Sequence, residues 1–335
     1  MYVDSPPLPA PLQAEPWSAD AARWRLDQLR DVLPVRVPRQ PEFIGGNSND
    51  AWLLDDAVLR VCWRADRGRL IREARLLEAL PAAVPHAPVV GSGRTDQLSW
   101  MISTRMPGRS IESISTTMPE SELRSLFGEI AAILAALHDW VPPPDVAALM
   151  AARPELDPAD PMTVWAADLV PLPAPRALAM VDLAKSLEHV DPTLIEAAAD
   201  RIRSLAGTDP LAGRQGIVHG DATLGNFLVH RGRITAVLDF EWARIGPPDL
   251  ELVSLVRMSQ GDSTDGSPLP YLSWLVEDYP AMFDVTDLDQ RLWLCELSYF
   301  LRGLIWWPPD QPESRLDPDH HVHTLRRLVA APMPR

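Results

Sequence analysis

The stretch from Ile217 to Ala243, IVHGDATLGNFLVHRGRITAVLDFEWA, constrains the fold more tightly than any other part of the chain. It holds Asp221, then Asn226 five residues on, then Asp239 thirteen beyond that. The runs Phe227 to His230 and Arg233 to Leu238 are short, apolar and β-prone, with Arg231-Gly232 as a turn between them. A tight hairpin brings Asn226 and Asp239 beside each other, with Asp221 near both. One carboxylate and one amide oxygen on neighbouring loops make a hard-oxygen site suited to Mg²⁺ carrying nucleotide phosphates. Asp221 is then left to take the proton from an attacking hydroxyl. The plainer alternative is a His-Gly-Asp turn with a capping Asn and a buried Asp, all of them structural.

The order Asp-x-x-x-x-Asn followed by Asp-Phe also occurs in the catalytic and metal loops of protein kinases. Here Gly220 stands where those enzymes carry Arg, and Glu241 follows Asp239-Phe240 where they carry Gly. With those departures, HGDxxxxN plus DFExA resembles the aminoglycoside phosphotransferase and choline kinase-like family, from about residue 40 to 310. The resemblance implies an α+β, bilobal, protein-kinase-like fold. It would comprise a small antiparallel-sheet N-lobe with one helix C equivalent and a larger, mainly helical C-lobe. The expected divisions are an extension with a packing helix (1–40), a nucleotide-binding N-lobe (41–106) and a C-lobe (107–335) with a variable insertion (141–191).

Composition narrows the chemistry. A chain of 335 residues with 46% hydrophobic content has enough apolar surface for a sizeable core. A formal net charge of −15 argues against nucleic acid or an anionic membrane as partner, and is permissive toward cationic acceptors. Cys62 and Cys295 lie far apart, so neither a disulfide framework nor a Cys-based zinc site is expected. The start, MYVDSPPLPAPLQAEP, lacks a basic n-region and an apolar h-region, and a cytoplasmic location is the expectation. Most telling, the chain has 30 Arg and one Lys, Lys185. A Walker A loop needs Gly-Lys-Ser/Thr and is therefore impossible. If the protein binds ATP, an arginine must hold the phosphates.

The N-terminal half supplies that arginine. Phe43-Ile44 runs into Gly45, Gly46, Asn47, Ser48 and Asn49, residues that let backbone N–H groups line a concave loop over phosphates. Ala51 to Leu54 and Ala57 to Trp63 read as strands joined by Asp55-Asp56. Arg60 lies in the third strand, and Glu73 follows thirteen residues later in a helix whose apolar positions are Leu70, Ala74, Leu77 and Leu80. The family resemblance implies that Arg60 and Glu73 form the pair that holds the α/β-phosphates, with Arg in place of Lys; Glu78 is a less well placed partner. Arg keeps its charge and can bind phosphate as a bidentate fork. Ala87 to Gly91 and Leu98 to Met106 read as the last two strands. The sequel resembles a lobe connector, where the backbone of Ser103, Thr104 and Arg105 would meet an adenine edge.

Beyond Pro107-Gly108 the period becomes helical. Leu123, Phe127, Ile130, Leu134 and Leu137 define a helix from Pro119, near N1, to Trp140, and Ile195 to Leu205 and Trp293 to Trp307 read likewise. A helix begins at about Asp249, whose carboxylate is expected to cap it or to tie down the catalytic loop. The resulting expectation is a small-molecule O-phosphotransferase using Mg²⁺ and ATP or GTP. Asp221 is the base, and His219 supports its loop. Asn226 and Asp239 hold the metal, while Glu241 meets a second metal or a cationic acceptor, or else is a structural acid. The acceptor expected first is an aminoglycoside-like or other natural-product antibiotic. A sugar, choline or homoserine-like metabolite is the alternative, as is a non-catalytic nucleotide-binding protein.

Overall fold

Period-two alternation over residues 50–62 separates two faces of a sheet, and each face acquires its own partner. The computed structural model describes residues 18–45, 49–63, 66, 68–152, 174–261, 270–318 and 320–332. Strands β1 (Glu42–Gly45), β2 (Asp50–Leu54), β3 (Ala57–Cys62), β4 (Val89–Arg94) and β5 (Ser99–Thr104) form an antiparallel sheet in the order β1-β2-β3-β5-β4. β4 starts at Val89, two residues later than the sequence suggests. One face, carrying Trp52, Leu54, Leu59, Val61, Trp100 and Ile102, packs on Ala22, Leu26 and Leu29 of helix α1 (Ala19–Leu29). Each such buried Leu contributes roughly 1.5–3 kcal/mol. Ser18 caps α1 by accepting from the Ala21 N–H at 3.2 Å. Arg25 crosses to Asp50 at the head of β2 through two bonds, 2.5 and 2.7 Å. Helix α2 (Arg69–Leu77) contacts β3, β4 and β5.

The chain divides into two compact units, Met1–Ala151 with Asp221–Ala243, and Ala152–Gly220 with Arg244–Arg335. The first also holds β6 (Arg109–Ser110), short helix α3 (Glu112–Ser115), helices α4 (Glu120–Asp139) and α5 (Pro144–Ala151), and the hairpin β8 (Phe227–His230) and β9 (Arg233–Val237). Pro119 is the N-cap residue of α4. The hairpin turn has φ 53° at Arg231 and 75° at Gly232, the positive pair that matches strand twist in a two-residue loop. Gly108 (φ 133°) has to be glycine, since a Cβ there would lie 2.7 Å from the Val229 carbonyl oxygen.

In the second unit, helices α6 (Ala174–Ala184), α7 (Pro192–Ser204), α10 (Leu288–Trp306) and α11 (His321–Ala330) enclose a core. It includes Met180, Ile195, Ala198, Ile202, Leu294, Leu297, Leu301, Val322 and Leu325. Strands β7 (Gly216–Val218) and β10 (Arg244–Gly246) pair antiparallel, and α8 (Leu252–Gly261) and α9 (Tyr271–Asp278) complete the unit. Within the described residues no helix is long and apolar enough to cross a membrane.

Candidate active site

The sheet face opposite α1 lines a cavity of about 370 Å³ with Ala51, Leu53, Val58, Arg60 and Met101. Arg60 is the charged residue on that face of β3, and its surroundings hold it in place. Its Nη1 donates to both Glu73 oxygens at 2.7 Å, and its Nη2 donates to Asp239 Oδ1 at 2.6 Å and Glu241 Oε2 at 2.8 Å. Burial works against the Arg60 charge, but Asp239, Glu73 and Glu241 outweigh it, so the guanidinium stays protonated well above its ordinary range. Glu73 also accepts from the Phe240 N–H at 3.1 Å. Its carboxyl is pushed up to about 8, first by burial and then by Asp239 and Glu241, against the lowering pull of Arg60. Oxygens of Glu73, Asp239 and Glu241 lie within 4.8 Å of one another, and Arg60 already supplies the cation among them. Glu78 pairs instead with Arg75, both half-exposed.

Asp221 opens the loop that leads into the hairpin. Its carbonyl accepts from Asn226 Nδ2 and from the Thr223 N–H, both at 2.8 Å, and its Oδ2 lies 3.5 Å from the same Nδ2. The Asn226 carbonyl accepts from the Leu238 N–H at 2.8 Å, which sets Asn226 beside the chain entering Asp239. Asp239 is left-handed (φ 65°, ψ 55°), an uncommon conformation for a non-glycine residue and one concentrated at functional sites. Its side chain is 35% exposed, against 1% for Glu73 and Glu241. Just upstream, in the second unit, Gly220 is left-handed too (φ 80°), which a Cβ-bearing Arg would resist. The backbone N–H groups of His219 and Gly220 both donate to Glu251, the latter at 3.1 Å.

Several expectations change here. Asp249 pairs with Arg291 at 2.9 Å, and Glu251, two residues on, takes the backbone bonds from His219 and Gly220. Buried acids two residues apart on a short 3₁₀ segment are not separable by sequence period, and nothing in the sequence singles out Glu251. Glu241, expected at a second metal or an acceptor, turns inward onto Arg60, Arg69 and Asn49. Asn49, expected over the phosphates, is buried and donates from Nδ2 to Glu241 Oε2. Gly45 ends β1 with φ 86°, while Gly46, Asn47 and Ser48 lie outside the described residues. Ser103, Thr104 and Arg105 line the cavity with Met106. The N–H groups of Thr104 and Arg105, however, are committed to the carbonyls of Pro88 and Asp56, at 2.9 and 2.8 Å.

A sequence profile of the phosphotransferase enzyme family (APH) matches residues 39–282. The chain belongs to that family, and it is an enzyme that transfers phosphate to a hydroxyl acceptor. Solved structures agree in fold. A thermostable mutant of aminoglycoside phosphotransferase APH(4)-Ia, in apo form, superposes with a TM-score of 0.61 at 18% identity, covering 87% of this chain and 94% of its own. The GDP and kanamycin complex of APH(2″)-IIIa gives 0.62 at 19% identity, covering 91% and 98%. The gentamicin complex of APH(2″)-IIa gives 0.61 at 16% identity, covering 94% and 97%. No curated protein sequence matches the chain significantly. The antiparallel N-terminal sheet and helical C-terminal part are those of the protein-kinase-like fold.

Proposed function

We propose that the protein moves the γ-phosphoryl group of ATP or GTP, carried with Mg²⁺, onto a hydroxyl of a cationic natural product of aminoglycoside type, and thereby inactivates it. The observation that carries this reading is the placement of Arg60. One guanidinium, oriented by Glu73, stands on a cavity wall that includes Leu53, Val58 and Met101, beside the one-third exposed Asp239. An apolar slot with a fixed cation at one side suits a purine carrying phosphates. With two N–H groups already committed, the base edge falls to the segment's carbonyls and to the N–H of Met106.

Asn226 and Asp239 fit Mg²⁺. Asn226 commits its Nδ2 to Asp221, which turns Oδ1 elsewhere as an acceptor, and Asp239 offers a partly exposed carboxylate. Amide and carboxylate oxygens are the ligands this ion prefers. Held by these two residues, Mg²⁺ would supply neutralising charge for the nucleotide phosphates. Arg60 gives up its bond to Asp239 and meets the α/β-phosphates, while Glu73 holds the guanidinium in register. Asp221 orients the acceptor hydroxyl and receives its proton as the oxygen attacks phosphorus and the nucleoside diphosphate leaves. His219 keeps the catalytic loop in shape through its backbone bond to Glu251 and transfers no proton.

A net charge of −15 favours a polycationic acceptor, and kanamycin and gentamicin, bound in the related structures, are of that chemistry. The test is a phosphorylation screen over aminoglycosides, other cationic antibiotics, sugars, choline and homoserine, with ATP and GTP in parallel. Nucleotide-dependent formation of a phosphorylated aminocyclitol supports the reading. Turnover confined to choline, homoserine or neutral sugars removes it, and Mg-nucleotide binding without turnover on any acceptor leaves a non-catalytic nucleotide binder.

A further inference from the structure

Behind the Arg60 cluster lies a second arginine whose role the phosphate chemistry above does not use. Arg69 is the first residue of α2, and its side chain is fully buried. Among the described residues, Nε and both Nη atoms have no hydrogen-bond partner. Its guanidinium stacks 4.0 Å from the centroid of Trp242, and Nη1 lies 3.6 Å from Glu241 Oε1. Burying a guanidinium with its donors unmet is costly, so the site has to be held together by charge and by the indole face. Glu241 is therefore shared: Oε2 takes the bonds from Arg60 and Asn49, and Oε1 faces Arg69.

We propose that Arg69 is a positioning residue for phosphoryl transfer that neutralises Glu241, leaving Arg60 free to exchange a carboxylate for a nucleotide phosphate. The inference rests on the reading of Arg60 as the phosphate ligand. With Arg60 alone, one guanidinium would face three carboxylates, Glu73, Asp239 and Glu241. An incoming triphosphate would then compete with an excess of negative charge for a single cation. With Arg69 in place, two cations serve the three acids. Because Arg69 is absent from the cavity wall, it acts through Glu241 and not on the nucleotide. The Trp242 contact keeps the charge at the N-terminal end of α2, a position where a cation is otherwise disfavoured by the helix dipole.

The test is a double-mutant cycle read by calorimetric titration with a non-hydrolysable ATP analogue and Mg²⁺. Arg69→Met, which keeps much of the side-chain volume, is expected to weaken binding about tenfold, with Arg69→Lys within about threefold of wild type. With the acceptor found above, the loss should fall on the nucleotide KM and leave kcat at saturation nearly unchanged. The decisive arm is Arg69→Met combined with Glu241→Gln, where removing the surplus charge should return affinity to that of Glu241→Gln alone. A role confined to packing on Trp242 would not be relieved by that change. A double variant no better than Arg69→Met, in folding or in affinity, overturns the inference. Arg60→Met separates the two readings: if it binds nucleotide as wild type does, the phosphate reading of Arg60 fails. If Arg60→Met loses binding and Arg69→Met does not, only the role of Arg69 fails.

Discussion

Arg60→Met should destabilise the protein in a strongly pH-dependent way. The substitution leaves Glu73 and Glu241, each 1% exposed, without their shared guanidinium, and their oxygens lie within 4.8 Å. At an effective dielectric of about 20, two unit charges at that separation repel by roughly 3.5 kcal/mol. Asp239 is one-third exposed, so its share is screened and is left out. The alternative for the folded protein is to protonate one acid. Glu73, already raised to about 8, is the acid that keeps its proton, and this costs roughly 2 kcal/mol at pH 9.5 but nothing at pH 5. The expected loss from buried charge is therefore about 2 kcal/mol at pH 9.5, shrinking to under about 1 kcal/mol at pH 5. Urea unfolding of both proteins at the two pH values, with m checked for constancy, measures it. Equal losses at both pH values, or less than about 1 kcal/mol at pH 9.5, would refute the view that this guanidinium neutralises buried charge.

Asp221→Asn should lower kcat by about 10²–10⁴-fold while leaving nucleotide affinity nearly intact, which steady-state kinetics and calorimetry separate; wild-type turnover would remove Asp221 as base. Asp239→Ala should abolish the thermal shift produced by Mg-nucleotide, whereas a retained shift would exclude Asp239 as a metal ligand. Glu73 has a folded pKa raised from 4.5 to about 8, so its contribution to stability is complete below about 4.5 and is lost as pH rises through 8. Glu73→Gln should flatten the Tm decline between those values, and an unchanged slope counts against the assignment. Arg25→Met strands the buried Asp50 and should cost about 3–5 kcal/mol in unfolding free energy. Much of that should return in Arg25→Met with Asp50→Asn, and no recovery would mean the loss is one of packing.

What the sequence made legible is what short-range rules govern. The hairpin was readable because a two-residue turn and period-two alternation fix its register, and Asn226 and Asp239 are neighbours as a consequence. The Arg60 to Glu73 pair was readable from strand and helix positions together with the family resemblance. The direction in which Glu241 points was not. It follows Asp239 and Phe240 in a tight 3₁₀ segment, where residue spacing carries no inside or outside signal. Its inward turn depends on Asn49 and Arg69, distant in sequence. The same holds for Glu251 and Asp249. Both are acidic and both are buried, and sequence spacing does not tell that Asp249 meets Arg291 while Glu251 meets the His219 backbone.

The guanidinium on β3 has a practical corollary for anyone surveying nucleotide-dependent enzymes by chemical labelling. Probes that deliver an electrophile from a bound nucleotide rely on a nearby amine that can lose its proton, and Arg60, protonated at any workable pH, is no such nucleophile. The lone amine side chain, Lys185, sits partly exposed beside Asp182 and Glu196 in the second unit, outside the residues lining the Arg60 cavity. An amine-directed nucleotide probe should therefore pass over this enzyme even when its nucleotide site is filled.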